Sequence, residues 1–233
     1  MVGTLNALFL AAVVFVGGHF FLSSLPVRKV LIRRLGEAGF RLLYAGVAGA
    51  SLVWMLFAYG AAPYAEVWSP PPVLHWLPVL LMPIALFLAV AGLSTQSPTA
   101  VGGDKVLTEE VHDLSPGVLR ITRHPFLWGV TLWAFSHLCV NGDAASVVLM
   151  GGILLLAIGG MLHIDSRREA TMDAAWGPVA MTTSLIPFAA ILSGRTRFDW
   201  PGIGLWRIAV ALVLYAVLLH FHGAIFGVSV LPA

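Results

Sequence analysis

Arg123-His124-Pro125 opens the stretch RHPFLWGVTLWAFSHLCVNGD, an apolar run that carries a second histidine, His137, and closes on Asn141-Gly142-Asp143. An imidazole deep in a lipid-spanning helix needs a partner, so the chemistry on offer is hydrogen bonding, proton transfer or ligation through a neutral ring. The two rings are thirteen positions apart. On a straight helix that is roughly 20 Å of rise and about three and a half turns, which puts them at different depths and on opposite faces. They cannot jointly grip one ion from that helix alone.

The elements that must position these rings follow from composition. A chain of 233 residues with 59% hydrophobic and 10% charged residues and a mean hydropathy of +0.91 lies outside the range of soluble domains and reads as an integral membrane protein. Apolar spans occur at residues 4–25, 42–60, 73–93, 125–140, 146–164 and 205–226. Each is close to the roughly 17 to 22 residues a bilayer core requires, the shortest being 125–140 with 16. The first lacks the positive segment that begins a signal peptide, so it is expected to be a retained helix.

Charge placement tests that count. Arg28, Lys29, Arg33, Arg34 and Arg41 follow the first span, Lys105, Arg120 and Arg123 the third, and Arg167, Arg168, Arg195, Arg197 and Arg207 the fifth. None lies in the other loops or at either terminus. This one-sidedness predicts cytoplasmic loops one, three and five, with both termini on the other side. The net charge of +2 is therefore a topology signal and gives little support to nucleic-acid binding. The expected fold is all-α: one domain over residues 1–233, a polytopic membrane helix bundle of about six transmembrane helices. A short interfacial helix is expected at 106–114. Residues 181–192 are apolar enough to enter the membrane yet too short to cross it, which predicts a re-entrant or surface-lying segment.

Eight histidines are many for so apolar a chain. His19 sits in GGHFF near the inner end of span one, where Gly17 and Gly18 would admit a flat ring or another helix. His124 and His163 stand at inner mouths, and His137 and His222 lie in the outer halves of their spans. For each alone the plain alternative is an interhelical hydrogen bond. His75 reads as an outer interfacial residue and His112 as solvated. The single Cys139 cannot form an internal disulfide and reads as a packing residue. Zinc spacing is absent: there is no HExxH or CxxC, and Asp165 is the one carboxylate near an inner histidine. Haem suits the pattern better. It needs imidazoles from different helices, apolar walls such as Trp128, Gly129, Trp133, Gly159 and Gly160, and an arginine such as Arg123 or Arg28 at the membrane face for propionates.

GGHFFLSS at 17–24, RLGEAGFRLLY at 34–44, ITRHPFLWG at 121–129, LWAFSHLCVNGD at 132–143, GGMLHIDSRR at 159–168, SLIPFAAILSGR at 184–195 and HGAIFGVSVLP at 222–232 together resemble the NnrU family of bacterial membrane proteins nearly end to end. That resemblance implies a bacterial inner-membrane protein with periplasmic N and C termini, associated with nitrogen-oxide metabolism and denitrification. Plant 15-cis-zeta-carotene isomerases share this core and use haem b to isomerise a polyene. Carried over, the resemblance implies haem b here, with imidazole ligands at His19 and His137, His124 and His222 in reserve, and Arg123 beside the cofactor. The implied partners are membrane lipid and an apolar small molecule or a diatomic gas.

RHPFLWG, Glu169, Trp176-Gly177 and Pro187 also resemble, at similar spacing, the membrane methyltransferases of the isoprenylcysteine carboxyl type. Leu127, Ala180 and Thr183 stand where that motif has tyrosines, which weakens a pocket for S-adenosylmethionine. Three readings thus stand: a haem b protein acting as a redox-gated isomerase or an accessory factor, a membrane methyltransferase, and a non-enzymatic membrane component whose histidines hold helices together.

Overall fold

A computed structural model describes residues 3–100 and 115–230, so the expected helix at 106–114 and the solvated His112 fall outside the described residues. In chain order the α-helices are α1 Leu5–Ser23, α2 Leu25–Gly60, α3 Trp76–Ser94, α4 Val118–Ile121, α5 Pro125–Val140, α6 Ala144–Met172, α7 Trp176–Thr182, α8 Ala189–Leu192, α9 Trp200–Ile203 and α10 Leu205–Phe226. Among the described residues, Leu5–Ser23, Leu25–Gly60, Pro72–Ser94, Ala144–Thr182 and Leu205–Phe226 are long and apolar enough to cross a membrane, and α5 is a shorter apolar helix. The chain is an all-α, multi-pass membrane protein. It divides into two compact units, Met1–Leu74 with Ala134–Gly160, and His75–Trp133 with Met161–Ala233.

In the first unit, the Thr4 hydroxyl accepts from the Ala7 N–H at 3.1 Å and so caps α1. Extended backbone at Ser24 ends α1, and Pro26 in the first turn of α2 suits a helix start, so the chain reverses there in a single residue. Leu8, Ala11 and Phe15 of α1 and Ser51, Met55 and Ala58 of α2 are buried as the two helices pack together. Gly36, at φ +73°, breaks α2 into a short arm and a long span. A Cβ at Gly152 would meet Val16 and Ala12 at ordinary contact distance, which places the first half of α6 beside α1. At the far end, the Val67 and Trp68 N–H groups donate to the Gly142 carbonyl, and the Ala144 N–H donates to Ala65. A Cβ at Gly142 would lie 1.7 Å from the Trp68 oxygen, so only glycine fits that link.

In the second unit, Leu88 and Ala91 of α3 form a core with Val118, Ile121 and Ile203, flanked by Trp128 and Leu132 of α5. A Cβ at Gly129 would stand 2.6 Å from the Ala85 carbonyl oxygen, so α5 lies directly against the α3 backbone. The Tyr215 hydroxyl of α10 donates to Val79 at 3.0 Å. Arg207 donates to the Ser94 hydroxyl at 2.8 Å and the Ser94 carbonyl at 3.1 Å, joining the start of α10 to the end of α3. The rest of α10 leaves Leu212, Val213 and Phe221 exposed, as suits a lipid-facing helix.

Two elements differ from expectation in extent. The second and fifth spans sit inside longer helices, α2 and α6, because helix continues past the apolar window through basic, helix-favouring sequence. The segment expected to enter or lie on the membrane at 181–192 is not one element: α7 ends at Thr182, α8 begins at Ala189, and the residues between are non-helical.

Candidate functional site

The RHP sequence lies where that non-helical stretch runs alongside the approach to α5. The Arg123 N–H donates to the Ser184 carbonyl at 2.9 Å, and the Phe188 N–H donates to Ile121 at 2.7 Å. The buried Thr122 hydroxyl reaches the Leu185 carbonyl at 3.0 Å, and the Trp128 indole N–H donates to the same oxygen at 2.9 Å. Such non-local bonds satisfy a segment that helix hydrogen bonds do not. Arg195 completes the arrangement by donating to the carbonyls of Ala180 at 2.8 Å and Thr183 at 3.1 Å, closing the end of α7.

Within this frame the side chains of Arg123 and His124 converge on Asp165. His124 Nε2 donates to Asp165 Oδ1 at 2.7 Å, with the ring 3% exposed and the carboxylate 19% exposed. Arg123 Nε lies 3.6 Å from Asp165 Oδ2 with its side chain 11% exposed, an ion pair too long for a hydrogen bond. The guanidinium also sits over the Trp176 ring, 5.0 Å from its centroid. Burial lowers the Arg123 pKa from its ordinary value; Asp165 opposes that shift and Arg195 adds to it. The guanidinium stays charged, since an arginine does not lose its proton in a protein.

His19 has a different setting. Its Nδ1–H donates to the Phe15 carbonyl at 2.6 Å. A carbonyl can only accept, so Nδ1 carries a proton; in the neutral ring that tautomer has its lone pair on Nε2, the state in which an imidazole ligates iron. Phe15 and Tyr44 meet the ring edge-on, at centroid distances of 4.6 Å and 5.5 Å, and fix its plane. A Cβ at Gly17 would meet nothing within 4 Å, and one at Gly18 would only touch Val47, so these glycines do not serve a close helix approach within the unit.

His137 falls in the same unit as His19, whereas His124 and His222 belong to the other. The Ser136 hydroxyl lies 3.3 Å from His137 Nδ1, and the Asn141 amide donates to the His137 carbonyl at 2.8 Å, closing the end of α5. His222 donates from Nδ1 to the Val228 carbonyl at 2.9 Å at the exposed end of α10. Among the other expected wall and face residues, protein already fills the space at Gly129 and Gly159, where a Cβ would meet Ala85 and Phe20, and Arg28 pairs with Glu37 at 2.8 Å. Among the described residues no group of three or more His, Cys, Asp or Glu is placed to hold a metal ion. Haem iron needs only one or two protein ligands, and the Nε2 of a neutral His19, for which no hydrogen bond is seen among the described residues, would be a donor of the right kind.

The sequence showed Asp165 as a nearby carboxylate, Trp176 as part of a methyltransferase-like motif and Ser184, Leu185 and Arg195 within a family motif, but not that they meet Arg123, His124 and Trp128. Depth was one signal, since Asp165 and His124 both stand at inner mouths of their spans, and the pairing of RHP with Trp176 in one motif was another.

An all-α bundle with a carboxylate, an imidazole and a guanidinium buried at the end of an apolar helix defines a multi-pass membrane protein with a built polar centre. The chain belongs to the NnrU protein family, whose model matches residues 7–230, as its motifs led us to expect. It is similar to the chloroplastic 15-cis-zeta-carotene isomerase of Arabidopsis thaliana, 26% identical over 194 residues, which cover 81% of this chain and 51% of that protein. The corresponding isomerase of Zea mays is 31% identical over 88 residues, covering 38% of this chain and 24% of that one. The chain thus spans about half the length of the Arabidopsis relative in the matched region. No solved structure matches it.

Proposed function

We propose that this protein is a haem b-binding, isomerase-like membrane protein that acts on an apolar polyene, with His19 as an axial ligand and His137 as the second candidate ligand. The observation that carries the reading is the likeness to 15-cis-zeta-carotene isomerases over 81% of the chain. The setting of His19 supports it, because a ring held by Phe15 through Nδ1 presents its Nε2 lone pair in a fixed plane. Haem b, when bound, would supply a redox-active iron able to polarise a double bond. The chain's own residues would hold the imidazole through the Phe15 carbonyl and orient it between the Phe15 and Tyr44 rings. The charge asymmetry of the loops supports a bacterial inner membrane with both termini periplasmic, which alkaline phosphatase fused to the C-terminus tests by its activity.

Absorption spectra of the protein purified in detergent test the cofactor. A Soret band is expected in the wild type after hemin addition, lost or shifted in His19→Ala and retained in His124→Gln. No band in the wild type overturns the proposal; a band unchanged in His19→Ala overturns the ligand assignment.

One observation favours a second reading. The two pieces of the methyltransferase-like motif meet, with Arg123 over Trp176 and the RHP backbone bonded to Ser184. Calorimetry with S-adenosylmethionine decides it: saturable binding supports a methyltransferase, and none removes it.

A further inference from the structure

Several of the basic residues are already engaged. Arg120, Arg168, Arg195 and Arg207 spend their donors on backbone carbonyls, and Arg28 and Arg41 both pair with Glu37. Lys29, Arg33 and Arg34 differ: they are exposed, and among the described residues no hydrogen bond or ion pair engages their side chains. All three lie on the short arm of α2, between the reversal at Ser24 and the kink at Gly36. At about 100° per residue they fall within one arc of that arm with Val30 between them, while Val27, Leu31, Leu35 and Ile32 occupy the rest of the circumference together with Arg28, whose charge goes to Glu37. The arm holds no acid, and the nearest, Glu37, is already shared by Arg28 and Arg41.

The arm's place in the chain says what meets this charge. It joins α1 to the long part of α2, two segments apolar enough to cross the membrane, so its two ends are tied to one membrane face. Arg28, 4.7 Å from the Phe40 centroid and bonded to Glu37, bends the arm back toward the span it precedes. An amphipathic, acid-free helix held there lies at headgroup level, with its apolar side toward the acyl boundary and its cations among phosphates.

We propose that Lys29, Arg33 and Arg34 form a binding site for the phosphate headgroups of anionic phospholipid. The site is independent of any haem or of the RHP cluster. Arginine forks and a lysine ammonium both suit phosphate oxygens, and juxtamembrane cations gain about fivefold in affinity each. The full-length protein in mild detergent, titrated with phosphatidylglycerol or phosphatidylcholine and read by native mass spectrometry, tests this. Wild type should hold phosphatidylglycerol in preference, and the preference should weaken as salt rises. The variant K29Q/R33Q/R34Q should lose it by about 100-fold, while the charge-keeping K29R/R33K/R34K retains it and shows that the arm tolerates substitution. Equal preference in wild type and the glutamine variant, or no preference in wild type, overturns the proposal.

Discussion

Replacing Asp165 with asparagine tests the polar centre most directly, because the side chain keeps its shape and can still accept from His124 while its charge is gone. At 3.6 Å, the Arg123 to Asp165 attraction is roughly 4 to 5 kcal/mol at an effective dielectric of about 20. Both side chains are less than one-fifth exposed, so solvent screening reduces this little, and the variant leaves a buried guanidinium without its counter-charge. Such broken pairs cost about 3 kcal/mol or more. The charge-assisted bond from His124 also becomes an ordinary one, a further loss of about 1 kcal/mol. The cation-π contact with Trp176 recovers none of this, since it is made in both forms. Reversible unfolding in detergent micelles, followed by circular dichroism, should therefore show Asp165→Asn destabilised by about 4 kcal/mol or more. A double-mutant cycle isolates the charge: in an Arg123→Gln background the same change should cost at least about 1 kcal/mol less, because no cation remains to be stranded. Stability of Asp165→Asn within about 0.5 kcal/mol of wild type, or strict additivity with Arg123→Gln, would refute the reasoning.

Gly129→Ala should destabilise by about 2 kcal/mol or more by forcing α5 off the α3 backbone, whereas Gly17→Ala, which meets nothing, should be neutral or slightly stabilising; melting curves of the two compare them directly. Trp128→Phe should cost about 1 kcal/mol, since Thr122 still satisfies the Leu185 carbonyl, and Thr122→Val with Trp128→Phe should cost more than the sum of the singles in the same unfolding assay. Gly36→Ala imposes a side chain at φ +73° and should cost about 1 kcal/mol or more, measurable as a fall in the thermal midpoint.

Hydropathy made the membrane spans legible, and it did so best where structural and bilayer boundaries coincide. The spans expected at 125–140 and 205–226 are Pro125–Val140 and Leu205–Phe226 to the residue, because Pro125 and Gly204 set helix starts at the edges of the apolar windows. Where the helix outlasts the membrane, as in α2 and α6, hydropathy reports the membrane and not the helix. The break between α7 and α8 was hidden for another reason. Residues 181–192 are apolar enough to read as one segment, yet their backbone is bonded to Ile121 and Arg123, some sixty positions away, and local pattern carries no record of such bonds.

The same distinction governs the histidines. Counting rings and depths showed that His124 and His137 cannot share an ion from α5, and that limit concerns residue type and spacing alone. What an imidazole can do depends on which nitrogen is engaged and by what, and that is set by partners far along the chain or one turn away. His124 gives its Nε2 to a carboxylate that also faces a buried guanidinium, so the ring is held in a network whose loss would strand charge. His19 gives its Nδ1–H to a carbonyl of its own helix, an arrangement that holds the ring through one nitrogen and does not use Nε2. Two histidines equally conspicuous in the sequence thus have different settings: His124 fastens the start of α5 to α6 through its Nε2, and His19 is held through its Nδ1.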